Sequence, residues 1–376
     1  MSAVPRRAVV VVAAVLALAG CTAHAAPGPG RASDAGVDTA RVAELPWSQV
    51  TPLADPKAYS GPSTAHLTDA DIVPITADAR PVLPATVTDN QGTRVTVTSV
   101  ERILALDLYG TLAATVYGLG LGDRLAGRDQ STGFPAARHL PLVTGGAHVL
   151  NAEAILALHP TVVLTDTTLG PWDVILQLRD AGVPVVVTSS RRGLAGVGEL
   201  TGQVAAALGV SAEGERLTAR IGAEIDAVRA QIARIAPAAP DRRLRVDFLY
   251  ARGQAGVFYL FGRDSGADSL IDALAAVDVA TQAGLAGFTP LNAEALATTR
   301  PDVILMMTAG LESVGGVDGA LKLPGVAQTP AGQHRRIVDM SDYQILSFGP
   351  LSARVLDALA RALYAPASVT VSGAGQ

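Results

Sequence analysis

Apolar positions along this chain change period several times, and each change marks an element. Thr86–Thr88 and Arg94–Thr98 alternate around Asp89-Asn90-Gln91-Gly92, which predicts a β-hairpin. Ile103–Leu106, Leu125–Arg128 and Val183–Val187 are short strand-like runs, whereas Leu112–Leu119 and Trp172–Ala181 carry helical spacing. The clearest pattern follows: Leu217, Ile221, Ile225, Val228, Ile232 and Ile235 recur at spacings of three and four until Pro237 stops them. This predicts an amphipathic helix capped by Ser211, with Glu213 and Glu215 in its first turn. About 25 helical residues span roughly 37 Å, enough to bridge two lobes along one side. A coiled-coil dimer is the competing reading, but three heptads with many Arg and Glu on the outer face fit a connector better.

The segment Leu150–Asp166 (LNAEAILALHPTVVLTD) recurs 141 residues later as Leu291–Met307 (LNAEALATTRPDVILMM), with eight of seventeen positions identical. Each copy reads as a short helix, a Pro-marked turn and an apolar strand. So long a period is not a solenoid repeat; it predicts two similar α/β lobes with a cleft between them. Strands alternating with helices indicate mainly parallel sheets covered on both faces. The expected organisation is a leader at 1–21, a tether and extension at 22–83, a first lobe at 84–209, the connecting helix at 210–238, a second lobe at 239–366 and a tail at 367–376. The part of the extension after Leu45 is expected to lie on the first lobe.

At the N-terminus, Arg6 and Arg7 precede an apolar run from Ala8 to Ala19, too short to span a bilayer and flanked like a signal peptide. It ends in Leu18-Ala19-Gly20-Cys21, which looks like a bacterial lipobox with Cys21 as the lipidated first residue of the mature chain. Cys21 is the only cysteine, so no intramolecular disulfide is possible. An acylated, tethered domain belongs on the outer face of a membrane. Apolar residues are 49% and charged ones 17%, enough to build two cores. The net charge of −5, with no long basic run, argues against a nucleic-acid partner.

Two lobes, one helical connector and a lipid anchor resemble the helical-backbone class of ABC-transporter substrate-binding proteins (class III), and within it the haem-binding lipoproteins of actinobacterial haem uptake (the HmuT type). The resemblance is carried by Arg102–Gly127 (RILALDLYGTLAATVYGLGLGDRLAG), Asn151–Asp166, Leu321–Gly332 (LKLPGVAQTPAG), Arg336–Met340 and Leu346–Pro350 (LSFGP), and covers roughly Pro84 to Tyr364. It implies a monomeric carrier that is not an enzyme, holds haem b as its transported ligand and docks on an ABC permease with its ATPase.

Ferric haem is a flat apolar disc with a hard Fe(III) centre, which a tyrosine phenolate or a histidine nitrogen ligates. Tyr250-Ala251-Arg252 follows the strand-like Arg245–Leu249, where the chain is expected to open into the cleft. The resemblance assigns Tyr250 as iron ligand and Arg252 as its hydrogen-bonding cation; a ring packed at a strand end beside a solvated Arg is the plainer reading. For the opposite ligand the resemblance implies a first-lobe histidine. His148 stands two residues before the first repeat copy, His139 is its rival in a surface-loop sequence, and His159 closes the repeated helix. Phe288 is placed either to cover a haem edge or to pack in the core. Arg128 either meets a propionate or is a solvated strand-end charge. Met306 and Met307 read as core. Glu153 and Glu294, equivalent in the two copies, are favourable first-turn residues; the resemblance makes them the docking contacts for a two-fold permease.

Other chemistries lack their residues. Gly118-Leu119-Gly120-Leu121-Gly122 lacks the dinucleotide spacing, and there is no Walker A, HExxH or G-x-S-x-G. Six histidines scattered over the chain do not make a bare metal site. The rivals are a ferric-siderophore or cobalamin carrier of the same class, a haem-relaying surface protein without a permease, and an extracytoplasmic enzyme on the same scaffold.

Overall fold

The computed structural model describes residues 41–372; the leader, Cys21, the tether to residue 40 and the end of the tail at 373–376 lie outside the described residues. The first lobe is built on three parallel strands, Ile103–Leu106, Val162–Thr165 and Val185–Val187, with Val162–Thr165 in the middle. Every residue of the three is buried, as a parallel sheet covered on both faces requires. The hairpin pairs Ala85–Thr88 with Arg94–Val97. Leu125–Arg128, expected as a strand, forms only isolated bridges: Ala126 N–H bonds the Ile103 carbonyl, after which Arg128 bonds Pro141 instead. The chain changes partner before a ladder can form.

The second lobe carries a sheet in the order Phe288–Pro290, Val257–Phe261, Arg245–Arg252, Val303–Met307, Ile337–Met340, Ser63–Ala65, with Val277–Asp278 also pairing Arg245–Arg252. Its core is parallel, as expected; Val257–Phe261 and Phe288–Pro290 add an antiparallel flank. Both repeat copies fold alike. Asn151 opens the helix Ala152–Ala157 and Asn292 opens Ala293–Thr299, each side chain accepting the N–H three residues on, at 3.0 and 2.7 Å. The strands Val162–Thr165 and Val303–Met307 follow.

The helix Ser211–Ile235 buries Gly214, Leu217, Ile221, Ile225 and Ile232. It packs on Val197–Ala207 of the first lobe and on Ser352–Tyr364 of the second. Ser211 is its first helical residue rather than its cap, because the preceding helix turns so tightly at Gly209 that Val210 N–H already bonds the Ala205 carbonyl. Ile221 is 2% exposed beneath both lobes. Ile221→Ala is therefore expected to lower the unfolding free energy by about 2–5 kcal/mol, read as a reduced urea midpoint.

The N-terminal extension differs from expectation. Its three-residue strand Ser63–Ala65 joins the edge of the second-lobe sheet rather than the first lobe. Arg336, 1% exposed, fixes it there by donating to the Gly61 carbonyl, to Ser63 Oγ and to the carbonyls of Ala362 and Leu363. Upstream, Trp47 donates to Asp357 at 2.6 Å and lies under the Arg361 guanidinium. The chain then crosses over: Ile75 N–H bonds Gly118 and Val82 N–H bonds Gly209, both on the first-lobe side. The extension thus ties the two lobes together. Arg41–Glu44 pairs antiparallel with Val369–Ser372, so part of the expected tail is strand.

Candidate functional site

The strand Arg245–Arg252 does not end at Leu249 but runs through Tyr250 and Arg252. Alternation places Phe248, Tyr250 and Arg252 on one face, opposite Phe261, Tyr259 and Val257 of the neighbouring strand. Phe261 stacks on Phe248 (4.9 Å between centroids) and on Tyr250 (5.8 Å), and meets Phe288 at 4.5 Å. The aromatic row therefore leads from the fully buried Phe248 to Phe288, which is 52% exposed. Half exposure is not what core packing produces; Phe288 stands at the open end of an apolar wall.

Arg252 lies over the Tyr250 ring, its Cζ 4.6 Å from the centroid. Its Nη2 donates to Asp342 Oδ1 at 2.7 Å and lies 3.9 Å from Met307 Sδ. Asp342 Oδ2 in turn accepts the Ala309 N–H at 2.9 Å, so the carboxylate that holds Arg252 is itself held by backbone. The arginine thus approaches the phenol by its face, where the family resemblance implies a hydrogen bond to the hydroxyl. Met306 is buried in the core, as expected, while Met307 reaches the site.

His148 sits at the tip of a tight loop closed by the Thr144–Leu150 bridge and by Gly145 N–H to the Val149 carbonyl. Ala147 and His148 both have positive φ, 54° and 61°, a conformation disfavoured for residues with a Cβ. The ring is half-buried, with Nδ1 3.4 Å from Ser131 Oγ. Burial, and after it the positive charge of Arg252, pushes its pKa below the usual histidine range; Asp342 opposes them. The imidazole is therefore neutral at physiological pH. Because those two charges belong to the second lobe, His148 faces them across the cleft. His139 is exposed after the turn Pro135–Ala137, and His159 is exposed at the far end of the repeat helix.

Arg128 is half-buried and turned inward, with Nη1 3.4 and 3.5 Å from the carbonyls of Asp129 and Thr132. Glu153 and Glu294 are exposed in the first turns of the two repeat helices, one on each lobe. Between the lobes lies a cavity of about 20 Å³, lined by Ser131, Gly133 and Phe134 from one side and Ser341, Tyr343 and Gln344 from the other.

Sequence reasoning missed Ser131, Asp342 and a buried charge group behind the first-lobe strand ends. Arg192 Nη2 bridges Asp107 Oδ2 (3.0 Å) and Asp166 Oδ2 (2.5 Å). Asp129 accepts the Asp107 N–H at 2.9 Å and both the N–H and the hydroxyl of Thr132. Burial, reinforced by the Asp107 charge, pushes the Asp129 carboxyl up to about 7. One signal was available: Asp107 and Asp166 each directly follow a fully buried strand, an expensive place for a carboxylate without a partner.

A family model described as periplasmic binding protein matches residues 108–343. Among solved structures, the chain is similar to heme binding protein HmuT, with 44% identity, a TM-score of 0.79 and coverage of 83% of this chain and 99% of that one. Three further structures of heme binding protein HmuT carry alanine in place of one tyrosine, of one arginine two positions after it, and of one histidine. An uncharacterized ABC transporter substrate-binding lipoprotein of Bacillus subtilis (YvrC) is 22% identical over 75% of this chain and 86% of that protein. A cobalamin-binding protein of Halobacterium salinarum is 29% identical over 61% of this chain and 60% of that protein, less than two thirds of its length. Two α/β lobes, a single long connecting helix and a family match over most of the described chain carry one conclusion: this chain belongs to the periplasmic binding protein family.

Proposed function

We propose that this chain is a lipid-anchored extracytoplasmic receptor that binds haem between its lobes and delivers it to an ABC permease. It is a carrier, not an enzyme. The observation that supports this best is the convergence of Tyr250 under Arg252 on one lobe with a neutral His148 on the other. A phenol ionises only near about pH 10 in water, so a phenolate ligand needs a cation beside it and Fe(III) before it. Arg252 supplies the first and haem the second. The tyrosine, arginine and histidine replaced in HmuT match this trio in kind, and the tyrosine and arginine also match in spacing.

In this reading Tyr250 ligates the iron from the second lobe and His148 from the first, with Phe288 against the porphyrin and Arg128 near a propionate. Cys21 carries the lipid, and Glu153 and Glu294 dock on basic residues of the permease. Replacing both glutamates by lysine is expected to leave haem binding intact while slowing uptake by about 10-fold or more, because charges at such a rim steer association. Uptake at the native rate by the double variant would remove them from docking.

The connecting helix and the extension restrict opening of the cleft, so loading involves small rocking rather than hinge closure. Solution-scattering curves with and without hemin should superimpose; a marked compaction would contradict this. The Halobacterium relative favours a second reading, cobalamin. Equilibrium dialysis against hemin, cobalamin and a ferric hydroxamate, each alone, separates the readings. Retention of hemin near one equivalent with neither other ligand is expected, and retention of cobalamin instead would overturn the haem assignment.

A further inference from the structure

We propose that Ser131 is a positioning residue that selects the tautomer of His148, keeping the proton on Nδ1 and leaving the Nε2 lone pair directed at the ligand. The inference rests on the haem reading for its consequence, but the tautomer itself belongs to the ligand-free protein. A neutral imidazole ligates metal through one nitrogen only, and the hydrogen bond made by the other decides which. Nδ1 faces Ser131 Oγ at 3.4 Å, the long end of hydrogen bonding; contacts of this kind tighten once a site is loaded.

Ser131 is in a position to act as a fixed acceptor. It is 7% exposed and sits inside the turn that Asp129 closes by accepting the Thr132 N–H (2.7 Å) and hydroxyl (3.0 Å). Gln130 N–H bonds Thr144 Oγ1 at 3.0 Å, joining this turn to the base of the loop that carries His148. Gly110 approaches from the other side, so closely that a Cβ there would lie 2.5 Å from the Ser131 carbonyl oxygen. The same serine lines the small interlobe cavity, which has room for about one water to accept its hydroxyl proton. The serine oxygen is thereby left to accept from Nδ1–H, and the strained loop holds the ring in that orientation.

The test begins without ligand. In ¹⁵N NMR of the histidine rings, with the His148 signals identified by their loss in His148→Ala, the wild type should show a protonated Nδ1 and a bare Nε2. Ser131→Ala should move His148 toward the Nε2–H form and Ser131→Thr should restore it. A protonated Nε2 in the wild type, or an unchanged tautomer in Ser131→Ala, overturns the proposal. With hemin added, Ser131→Ala should bind roughly 10-fold more weakly and its spectrum should move toward that of His148→Ala, with Ser131→Thr again native. A native hemin spectrum and affinity in Ser131→Ala would overturn the positioning role. If the NMR result holds and hemin does not bind the wild type, the haem reading fails and the tautomer assignment stands.

Discussion

Tyr250→Ala is expected to abolish the high-spin ferric absorption of the hemin complex and to weaken binding by about 10- to 100-fold. Three contributions are lost together. In the proposed complex the Tyr250 hydroxyl oxygen is the second-lobe donor to the iron, so removing it leaves that face without its ligand. The Arg252 guanidinium loses the ring it covers at 4.6 Å and keeps its bonds to Asp342 and to the Ala251 carbonyl. The aromatic row Phe248–Phe261–Phe288 loses its stacked neighbour at 5.8 Å. Binding is not expected to vanish, because a large apolar disc contributes burial of its own. Tyr250→Phe separates these effects: it keeps the stacking and loses only the oxygen. Equal spectra for wild type and Tyr250→Phe would remove Tyr250 from the iron.

The second large effect concerns stability. Arg192 is the cation among three fully buried carboxyls, Asp107, Asp129 and Asp166. Arg192→Met leaves them without it, and breaking a buried pair from one side costs about 3–5 kcal/mol. That loss depends on pH in a stated direction. Asp129 is raised from an ordinary 3.8 to about 7 by burial and by the Asp107 charge. Asp166 is also raised, again by burial first and then by Asp107. Carboxyls raised in the folded state contribute stability that is complete below their unfolded values and is lost as pH rises through the folded ones. Arg192 holds Asp166 down, so without it Asp166 rises further and the penalty should be larger at about pH 7.5 than at about pH 5.5. Urea unfolding of both proteins at the two values measures it. A penalty below about 1 kcal/mol, or one independent of pH, would show that the guanidinium does not stabilise this group.

How far the sequence carries depends on the range of the interaction that shapes each part. The 141-residue repeat and the 3.6-period stripe from Leu217 to Ile235 are local signals, and they foretold the two lobes and the helix between them. The hairpin at Ala85–Val97 was announced by its turn residues. Ser63–Ala65 is too short to alternate and pairs with Ile337–Met340 far along the chain, so nothing local marks it. Leu125–Arg128 has the composition of a strand but divides its bonds between Ile103 and Pro141, a competition visible only in three dimensions.

The same distinction applies at the site. Tyr250 and Arg252 stand two apart on one strand, which puts them on one face, so their meeting followed from spacing. His148 was placed by its position just ahead of a repeat copy. Its partners were out of reach. Ser131 meets it through a turn closed by Asp129, and Asp342 meets Arg252 from a loop after another strand. Each depends on how several chain segments are tied, not on any pattern within one.

Haem binding through Tyr250 and His148 is tested by a visible absorption titration of the protein with hemin, run beside Tyr250→Ala, His148→Ala and His139→Ala. Saturation near one equivalent is expected in the wild type, with loss of the high-spin band in Tyr250→Ala, a shifted spectrum in His148→Ala and a native one in His139→Ala. Unsaturable hemin uptake, with all three variants indistinguishable from the wild type, would contradict it.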